Sequence, residues 1–366
     1  IAIGSLVGLE IPILLRIIET GSSVRLAVSR VLAVDYVGAL LGSVLFPLVL
    51  LPHLGLVRTA ALLGLLNLVV AFVAIHILRK ELKAIPQLCA AGAVVGLVLS
   101  AVFATAGNTT SWAEDNLYQD PIVIGETTPY QRVIVTRWRD DIRLYLNGHL
   151  QFSSVDEHRY HEALVHPAIG AAQDPKRVLV LGGGDGLAVR QLVKYGSIEH
   201  IDLVDLDHEL LHLFQTHAAL TEVNDGALHD PRVSIHAADA IEFVDESTEQ
   251  WDVILMDLPD PNDDTLSRLY AQSTFRLMLS RLAEGGVLAT QATSPFFAPD
   301  AFWCIVETLE TAMATEQAVH PYHVNVPSFG EWGFVMLRPA ADQALRLDAA
   351  VPTEFLDLPS MEAMFH

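Results

Sequence analysis

A glycine-rich turn and the acidic residues that follow neighbouring strands carry the clearest chemical signal in this sequence. The segment 178–186, with the sequence VLVLGGGDG, is typical of a buried strand that enters a tight turn and then a helix. Glycines such as Gly182 and Gly184 tolerate positive φ angles and let a backbone approach a nucleoside closely. Asp205 ends the next strand, 19 residues beyond Gly186, where a carboxylate can bind ribose hydroxyls. This spacing predicts a nucleoside site.

Two later strand ends add acidic residues to the same edge. Asp239 and Ala240 follow a third strand and are suited to contacting the edge of an adenine ring, while Asp257 and Asp260 follow a fourth strand on a loop with two prolines. An alkylammonium becomes nucleophilic only after it loses a proton, and an aspartate beside it can hold the cation and assist that loss. Together with Asp185 in the glycine-rich turn, these acids favour a polycationic substrate and a sulfonium donor. The alternative for the last loop is a plain turn with Asp at favoured positions.

The elements that must position these residues are short apolar strands alternating with helices. Such alternation predicts a parallel, doubly wound α/β sheet whose strands end at one ligand-binding crevice. Helices are expected to begin at Leu187 and His208. The predicted strands are Arg177–Leu181, His200–Val204, Val233–His236, Trp251–Met256 and Gly286–Gln291, with antiparallel edge strands at His323–Val326 and Gly333–Leu337.

A small antiparallel layer is predicted before this sheet, over about residues 120–155. Its first strands are Arg132–Val135 and Ile142–Leu146, and the turn signal Asn147-Gly148 leads into a strand at His149–Ser153.

Charge and hydropathy separate the chain into two different parts. The 366 residues carry a net charge of −22, which argues against nucleic acid as a partner because phosphate binding needs a basic surface. The mean hydropathy of +0.37 is high for a soluble enzyme. Seven basic and four acidic residues precede Gly107, whereas 15 basic and 40 acidic residues follow it. We therefore expect a lipid-embedded first part and an acidic, water-exposed second part.

Four apolar runs make up the first part, at about 1–18, 31–51, 56–78 and 86–106. The last three approach or reach the roughly 20 residues that cross a bilayer as helix. Glycines recur at four-residue spacing in the first, second and fourth of these runs. This spacing allows close helix packing in lipid, although any membrane helix tolerates glycine. These glycines are Gly4, Gly8, Gly38, Gly42, Gly92 and Gly96.

Neither the cysteines nor the histidines indicate a metal or a disulfide. Cys89 and Cys304 lie in apolar surroundings far apart in the chain, and the 15 histidines show no ligand spacing. We expect no metal cofactor.

The motifs in combination resemble those of the spermidine synthases, the polyamine aminopropyltransferases. The resemblance covers about residues 125–340 and rests on the segments 144–151 (LYLNGHLQ), 156–162 (DEHRYHE), 182–186 (GGGDG) and 257–261 (DLPDP). The apolar part resembles the multi-pass extension of membrane-bound bacterial members. The resemblance over the whole chain implies a fold that begins with α-helical transmembrane segments. A small antiparallel β domain and a methyltransferase-like Rossmann domain follow them. The expected divisions are 1–107, 108–160, 161–345 and a C-terminal tail at 346–366.

The resemblance implies transfer of the aminopropyl group of decarboxylated S-adenosylmethionine to a diamine, by default putrescine, giving spermidine and methylthioadenosine. It assigns the amine pocket to Tyr160, His161 and Asp260, with Asp257 as the catalytic acceptor of the amine proton, and it places Asp185 near the aminopropyl nitrogen of the donor. It assigns the donor nucleoside to Gln131, Asp205, Asp239 and Ala240, beside the glycines Gly182 and Gly184.

Two departures from the family pattern concern the amine. Soluble members carry Pro-Thr-Tyr where this chain has Pro327-Ser328-Phe329, so Phe329 lacks the hydroxyl that helps to hold the amine. The segment Asn262-Asp263-Asp264 replaces small residues and adds acid. Two alternative functions remain: an S-adenosylmethionine-dependent methyltransferase, and a polyamine transporter or binding protein without catalysis.

The resemblance also bears on partners and location. A homodimer is expected because soluble relatives form oligomers. Basic residues flank two loops of the apolar part, which by the positive-inside rule places residues 107 onward outside the cytoplasm. The nucleoside donor is made in the cytoplasm, so we nevertheless expect a multi-pass protein of the cell membrane with its catalytic part on the cytoplasmic face. The residues behind the charge bias are Arg16, Arg25, Arg30, Arg79, Lys80 and Lys83.

Overall fold

A computed structural model describes residues 24–80, 82, 84–262, 264–313, 317–339 and 344–366. The chain divides into two units between Gln119 and Asp120. The predicted apolar run 1–18, with Gly4 and Gly8, lies outside the described residues.

Three long helices form the described part of the first unit. They are α1 (Val24–Leu45), α2 (Leu51–Ile77) and α3 (Ile85–Leu117), with a π-helical turn at Phe46–Leu50 between the first two. Within them, Val31–Leu50, His53–Ile77 and Ile85–Gly107 are 20, 25 and 23 residues long and apolar enough to cross a membrane. These helical segments agree with the predicted runs and are candidate membrane spans by length and composition.

Two of the predicted glycines lie where α2 and α3 pack together. A Cβ atom at Gly92 would lie 2.8 Å from the Phe72 ring, and one at Gly96 would lie 2.9 Å from Leu68 Cδ2. A side chain at either point would have to displace these neighbours, as expected for a close helix pair. In contrast, no described atom lies within 4 Å of a Cβ built at Gly38 or Gly42 of α1.

The second unit begins with a four-stranded antiparallel sheet in the order β1-β2-β3-β4. Asn147 and Gly148 both have positive φ angles, of 51° and 85°, and form the tight turn between the last two strands. The predicted layer is confirmed, and the second strand runs on to Trp138. The strands are β1 (Ile122–Thr127), β2 (Arg132–Trp138), β3 (Asp141–Leu146) and β4 (His149–Ser153).

A seven-stranded sheet follows, in the order β10-β11-β9-β8-β5-β6-β7, in which β11 runs antiparallel to the other six strands. From β5 the chain proceeds outward through β6 and β7 and then returns to β8 on the other side, so a crevice opens between β5 and β8. The strands are β5 (Arg177–Gly182), β6 (His200–Asp205), β7 (Val233–Ala237), β8 (Trp251–Asp257), β9 (Leu282–Gln291), β10 (Gln317–Val326) and β11 (Gly330–Pro339).

Helices cover both faces of this sheet. One face packs against α4 (Glu157–Ala171), α5 (Leu187–Leu192), α6 (His208–Thr216) and α7 (Ala218–Val223). The other packs against α8 (Ala240–Glu246), α10 (Gln272–Ser280) and α11 (Pro299–Ala312), while the short α9 (Asp264–Ser267) lies in the loop after β8. The observed helix starts at Leu187 and His208 confirm the predicted ones.

The C-terminal segment, which ends in α12 (Leu358–Ala363), packs on α4 and on the edge of the sheet. Glu162 of α4 is fully buried, and its carboxylate accepts backbone N–H bonds from Glu354, Phe355 and Leu356 at 2.6, 3.0 and 2.8 Å. The ring of Phe365 stacks on Tyr322 with centroids 4.6 Å apart. The predicted tail thus contributes to the core that supports α4.

Candidate active site

The glycine-rich turn fits against the ends of two neighbouring strands. Gly182 pairs with Asp257 in the parallel register, and a Cβ atom there would lie 2.1 Å from the Asp257 carbonyl oxygen. A Cβ at Gly184 would lie 2.8 Å from Asp205 Oδ2, which instead accepts the Gly184 N–H at 3.0 Å. Gly182 also has a φ of 79°. These glycines are therefore required first of all by the close approach of the protein's own strand ends.

Asp257 lies at the end of β8 and contacts Tyr160 of α4. The Tyr160 hydroxyl donates to Asp257 Oδ1 at 2.6 Å. Burial and the neighbouring Asp257 carboxylate raise the pKa of Tyr160 well above its usual value, so the phenol stays protonated and donates. The two predicted residues are thus joined by one charge-assisted hydrogen bond.

Asp185 and His161 form the charged centre beside this pair. Burial, together with the charge of Asp257, raises the pKa of Asp185 to about 6, although His161 opposes the shift. Burial alone would lower the pKa of His161, but the Glu157 carboxylate outweighs it and raises this pKa. His161 Nδ1 lies 2.7 Å from Glu157 Oε2, and Glu157 also pairs with Arg190. An imidazolium in this position balances part of the negative charge.

The loop after β8 presents Asp260 near a buried tyrosine and glutamine. Gln291 donates from Nε2 to the Leu258 carbonyl at 2.7 Å and to the Tyr270 hydroxyl, which ties the loop to the end of β9. Burial raises the pKa of Asp260, although Gln291 and His149 oppose the shift. Asp260 Oδ1 is buried and has no hydrogen-bond partner among the described residues.

Aromatic side chains pack around Tyr160, the residue that contacts Asp257. The Phe329 ring lies in the turn between β10 and β11, with its centroid 6.1 Å from that of Tyr160 and 5.0 Å from that of Trp332. Phe334 packs on the far side of Tyr160 at 5.1 Å. The structure therefore brings Phe329 to the predicted amine pocket and gives it an apolar environment.

The predicted nucleoside residues Gln131 and Asp205 meet at Asp207. Gln131 donates from Nε2 to Asp207 Oδ2 at 2.8 Å, and the Asp207 N–H donates to Asp205 Oδ1 at 2.8 Å. Burial raises the pKa of Asp205, while the N–H bonds from Asp207 and Gly184 oppose the shift.

Asp239 and Ala240 lie at the same carboxyl edge of the sheet but have different contacts. Asp239 accepts the N–H groups of Ile241 and Glu242 at the start of α8, at 2.9 and 3.2 Å, and its other oxygen pairs with Arg268. Ala240 is the first residue of α8. The described contacts do not join these two residues to the other predicted site residues.

The residues of the site that were absent from the sequence-based prediction include Glu157, Asp207 and Gln291. For Asp207 a signal exists, because an Asp immediately before a helix is a preferred N-cap. Glu157 precedes His161 by one helical turn, a spacing that places two side chains together. Within the described ranges, no group of three His, Cys, Asp or Glu residues is arranged to hold a metal ion.

The fold and the site define an α/β protein with acidic residues in a crevice at the switch point of its sheet. A family model described as "Spermine/spermidine synthase domain" matches residues 157–345. The polyamine aminopropyltransferase 2 of Ralstonia nicotianae is 46% identical to this chain over 369 residues, covering 99% of the chain and 72% of that protein. A polyamine aminopropyltransferase of Leptospira interrogans is 45% identical, with 100% and 72% covered.

Solved structures show the same fold. A spermidine synthase crystallised with the transition-state analogue AdoDATO superposes with a TM-score of 0.60 at 22% identity, covering 67% of this chain and 84% of that one. The spermidine synthase of Thermotoga maritima gives a TM-score of 0.59 at 21% identity, with the same shares covered. The chain belongs to the spermine/spermidine synthase family, and it is an aminopropyltransferase.

Proposed function

We propose that the chain transfers the aminopropyl group of decarboxylated S-adenosylmethionine to putrescine, forming spermidine and methylthioadenosine. The observation that carries this proposal is the hydrogen bond between Tyr160 and Asp257 in a crevice that also holds Asp185 and Asp260. Such a group of acids suits a cationic amine and a sulfonium donor and disfavours a donor with a carboxylate, as S-adenosylmethionine has.

Asp257 is the proposed acceptor of the amine proton. The ammonium nitrogen of the diamine first gives one proton to the Asp257 carboxylate. The resulting free amine attacks the methylene carbon bound to the sulfonium, the carbon–sulfur bond breaks, and its electron pair goes to sulfur, leaving a neutral thioether and a secondary ammonium. The sulfonium is already an activated leaving group, so the main contribution of the site is alignment of nitrogen and carbon.

The remaining acids hold the other two ammonium groups. Asp185 is proposed to bind the amino group of the donor's aminopropyl arm, and His161 and Glu157 hold it in place from α4. Asp260 Oδ1, which is buried without a partner among the described residues, is proposed to accept from the distal ammonium of the diamine. The methylene chain of the diamine, between its reacting nitrogen and its distal ammonium, would lie along Tyr160 and Phe329.

The nucleoside part of the donor is proposed to lie across the carboxyl ends of β5 to β7. Gln131 and Asp205 would bind the ribose hydroxyls, with Gly182 and Gly184 keeping the backbone close. Asp239 and Ala240 would contact the adenine edge, which requires Asp239 to exchange its pairing with Arg268 for the ligand. No metal takes part in this scheme.

The test is a product assay on detergent-purified full-length chain. Decarboxylated or intact S-adenosylmethionine is supplied with a panel of di- and polyamines, and methylthioadenosine and the alkylated amine are measured. We expect both products with the decarboxylated donor and putrescine only, and a loss of at least about a hundredfold in kcat for Asp257→Asn, the size typical of removing a general base. The exposed Asp245 provides the matched control, since Asp245→Asn removes the same charge outside the site. Methyl transfer from the intact donor, or no alkylated amine, would contradict the proposal.

The location and assembly of the protein are also proposals. The three candidate spans support a multi-pass protein of the cell membrane, with lipid as a partner and the catalytic unit on the cytoplasmic face, where the donor is made. A homodimer is proposed from the family alone, and light scattering of the detergent-solubilised protein measures it.

A further inference from the structure

One buried carboxylate, that of Asp207, contacts both residues of the proposed ribose site. Asp207 is 2% exposed and directly precedes α6. Its Oδ1 accepts the N–H groups of Glu209 and Leu210 at 3.1 and 3.2 Å, which caps the helix. Its Oδ2 accepts from Gln131 Nε2 at 2.8 Å, and its N–H donates to Asp205 Oδ1 at 2.8 Å. Nothing in the proposed reaction uses Asp207 directly.

The contact with Asp207 determines the orientation of the Gln131 side-chain amide. An ionised carboxylate only accepts hydrogen bonds, so the NH₂ group of Gln131 must face it and the carbonyl oxygen Oε1 must face away. Thr128 reinforces the arrangement, because its hydroxyl donates to Asp207 Oδ2 at 2.7 Å and accepts the Gln131 N–H at 3.1 Å. Oε1 has no hydrogen-bond partner among the described residues, so it is available to a ligand.

Asp205 is held in a similar way. Its two oxygens accept the Asp207 and Gly184 N–H groups at 2.8 and 3.0 Å, and each carboxylate oxygen keeps further capacity to accept. Gln131 Oε1 and the Asp205 carboxylate therefore both offer acceptors to a ligand bound between them.

We propose that Asp207 is a positioning residue that turns Gln131 Oε1 toward the ribose site, so that Gln131 and Asp205 both accept hydrogen bonds from free ribose hydroxyls. A nucleoside with a phosphate on the ribose would bind more weakly, because its negative oxygens would face the Asp205 carboxylate and Gln131 Oε1. This inference rests on the proposed function, since it takes Gln131 and Asp205 as the ribose ligands.

The first test is Asp207→Asn, with the affinity for methylthioadenosine measured by calorimetry. Asparagine keeps an oxygen that can cap α6, but its NH₂ group then faces the NH₂ of Gln131 and the amide of Gln131 turns over. We expect affinity for methylthioadenosine to fall about tenfold, the effect of losing one net hydrogen bond. The KM for the amine should stay within about twofold of the wild-type value, because Asp207 lies outside the amine pocket.

The decisive variant combines Asp207→Asn with Gln131→Glu. The carboxylate introduced at position 131 accepts from the new amide and again offers an oxygen to the ribose, so affinity should return to within about threefold of wild type. Gln131→Glu alone places two carboxylates together and should weaken binding as much as Asp207→Asn does. The control is Asp357→Asn, which alters another helix N-cap, at α12, and should leave affinity unchanged.

Two results would overturn the inference. One is unchanged affinity in both single variants. The other is a double variant that binds no better than Asp207→Asn while melting at the wild-type temperature, which would show that the orientation of the Gln131 amide does not control binding. Wild-type chain that binds no methylthioadenosine would instead refute the proposed function, so the two failures are distinguishable.

Discussion

Asp185 titrates close to physiological pH because burial and Asp257 disfavour its charge more than His161 supports it. Its pKa of about 6 lies above the ordinary value of about 4, so between these values the folded protein binds more protons than the unfolded chain. The ionised form of Asp185 therefore lowers the free energy of unfolding as the pH rises through this range. A bound ammonium group would offset that loss. The free-energy cost of an ionised Asp185 in the empty site is therefore linked to binding of the donor.

We predict that decarboxylated S-adenosylmethionine binds roughly tenfold more weakly at pH 5 than at pH 7, because only the ionised Asp185 holds its ammonium group and about a tenth of it is ionised one unit below the pKa. Calorimetry over this range measures the change. Methylthioadenosine, which has no aminopropyl arm, is the matched control ligand and should vary much less. The same pH dependence for both ligands would contradict the role of Asp185.

The sequence revealed the site residues that end strands and missed those whose roles depend on tertiary contacts. Asp205 and Asp257 are recognisable because a carboxylate follows an apolar strand in each case. Gln291 was missed because its partner, the Leu258 carbonyl, belongs to another strand end and is 33 residues away. The partnership of Asp207 with Gln131 spans 76 residues, and no local pattern predicts it.

Among the elements, the central strands were predictable because parallel strands buried on both faces consist of continuous apolar residues. The start of β9 was not predictable in this way. The predicted strand began at Gly286, whereas the observed strand begins at Leu282. The register there shifts from Trp251↔Leu282 to Val253↔Val287, and Gly285 has a φ of 75°. An irregular, glycine-containing start breaks the apolar pattern and hides the pairing.

The helix pair α2 and α3 gives a prediction at this scale. Gly92→Leu should lower the melting temperature of the detergent-solubilised protein by several degrees, since overpacking costs about 1–3 kcal/mol and the Phe72 ring lies 2.8 Å from the position of the new Cβ. Gly38→Leu is the matched control, because no described atom lies within 4 Å of that Cβ position. Equal losses in the two variants would show that the packing of α2 on α3 is not the cause.

Over the whole molecule, charge is distributed very unevenly. The charge of the loops and the origin of the donor lead to opposite expectations for the side of the membrane on which the catalytic unit lies. The part before Gly107 is slightly basic and the rest is strongly acidic. Basic loops argue for an external catalytic unit, whereas the origin of the donor argues for a cytoplasmic one. The 23-residue segment Ile85–Gly107 should in either case separate the loop before it from the unit after it.

We predict that an epitope tag after His366 stays inaccessible to antibody in intact cells and becomes accessible once the membrane is permeabilised. A tag inserted in the loop between α2 and α3 is the internal control and should show the opposite behaviour, because one crossing separates the two positions. Labelling of the C-terminal tag in intact cells would place the catalytic unit outside. Labelling of both tags would show that Ile85–Gly107 does not cross.

The anchoring of the C-terminal segment on Glu162 has a consequence for the life of the chain. The helix that carries Tyr160 and His161 is synthesised nearly 200 residues before the backbone groups that satisfy Glu162, as Leu356 lies 194 residues further on. Until residues 354–356 have been synthesised, the buried Glu162 carboxylate therefore lacks these partners. A chain that stopped before Glu354 would contain the proposed site residues but would lack the backbone groups that hold Glu162 beneath them.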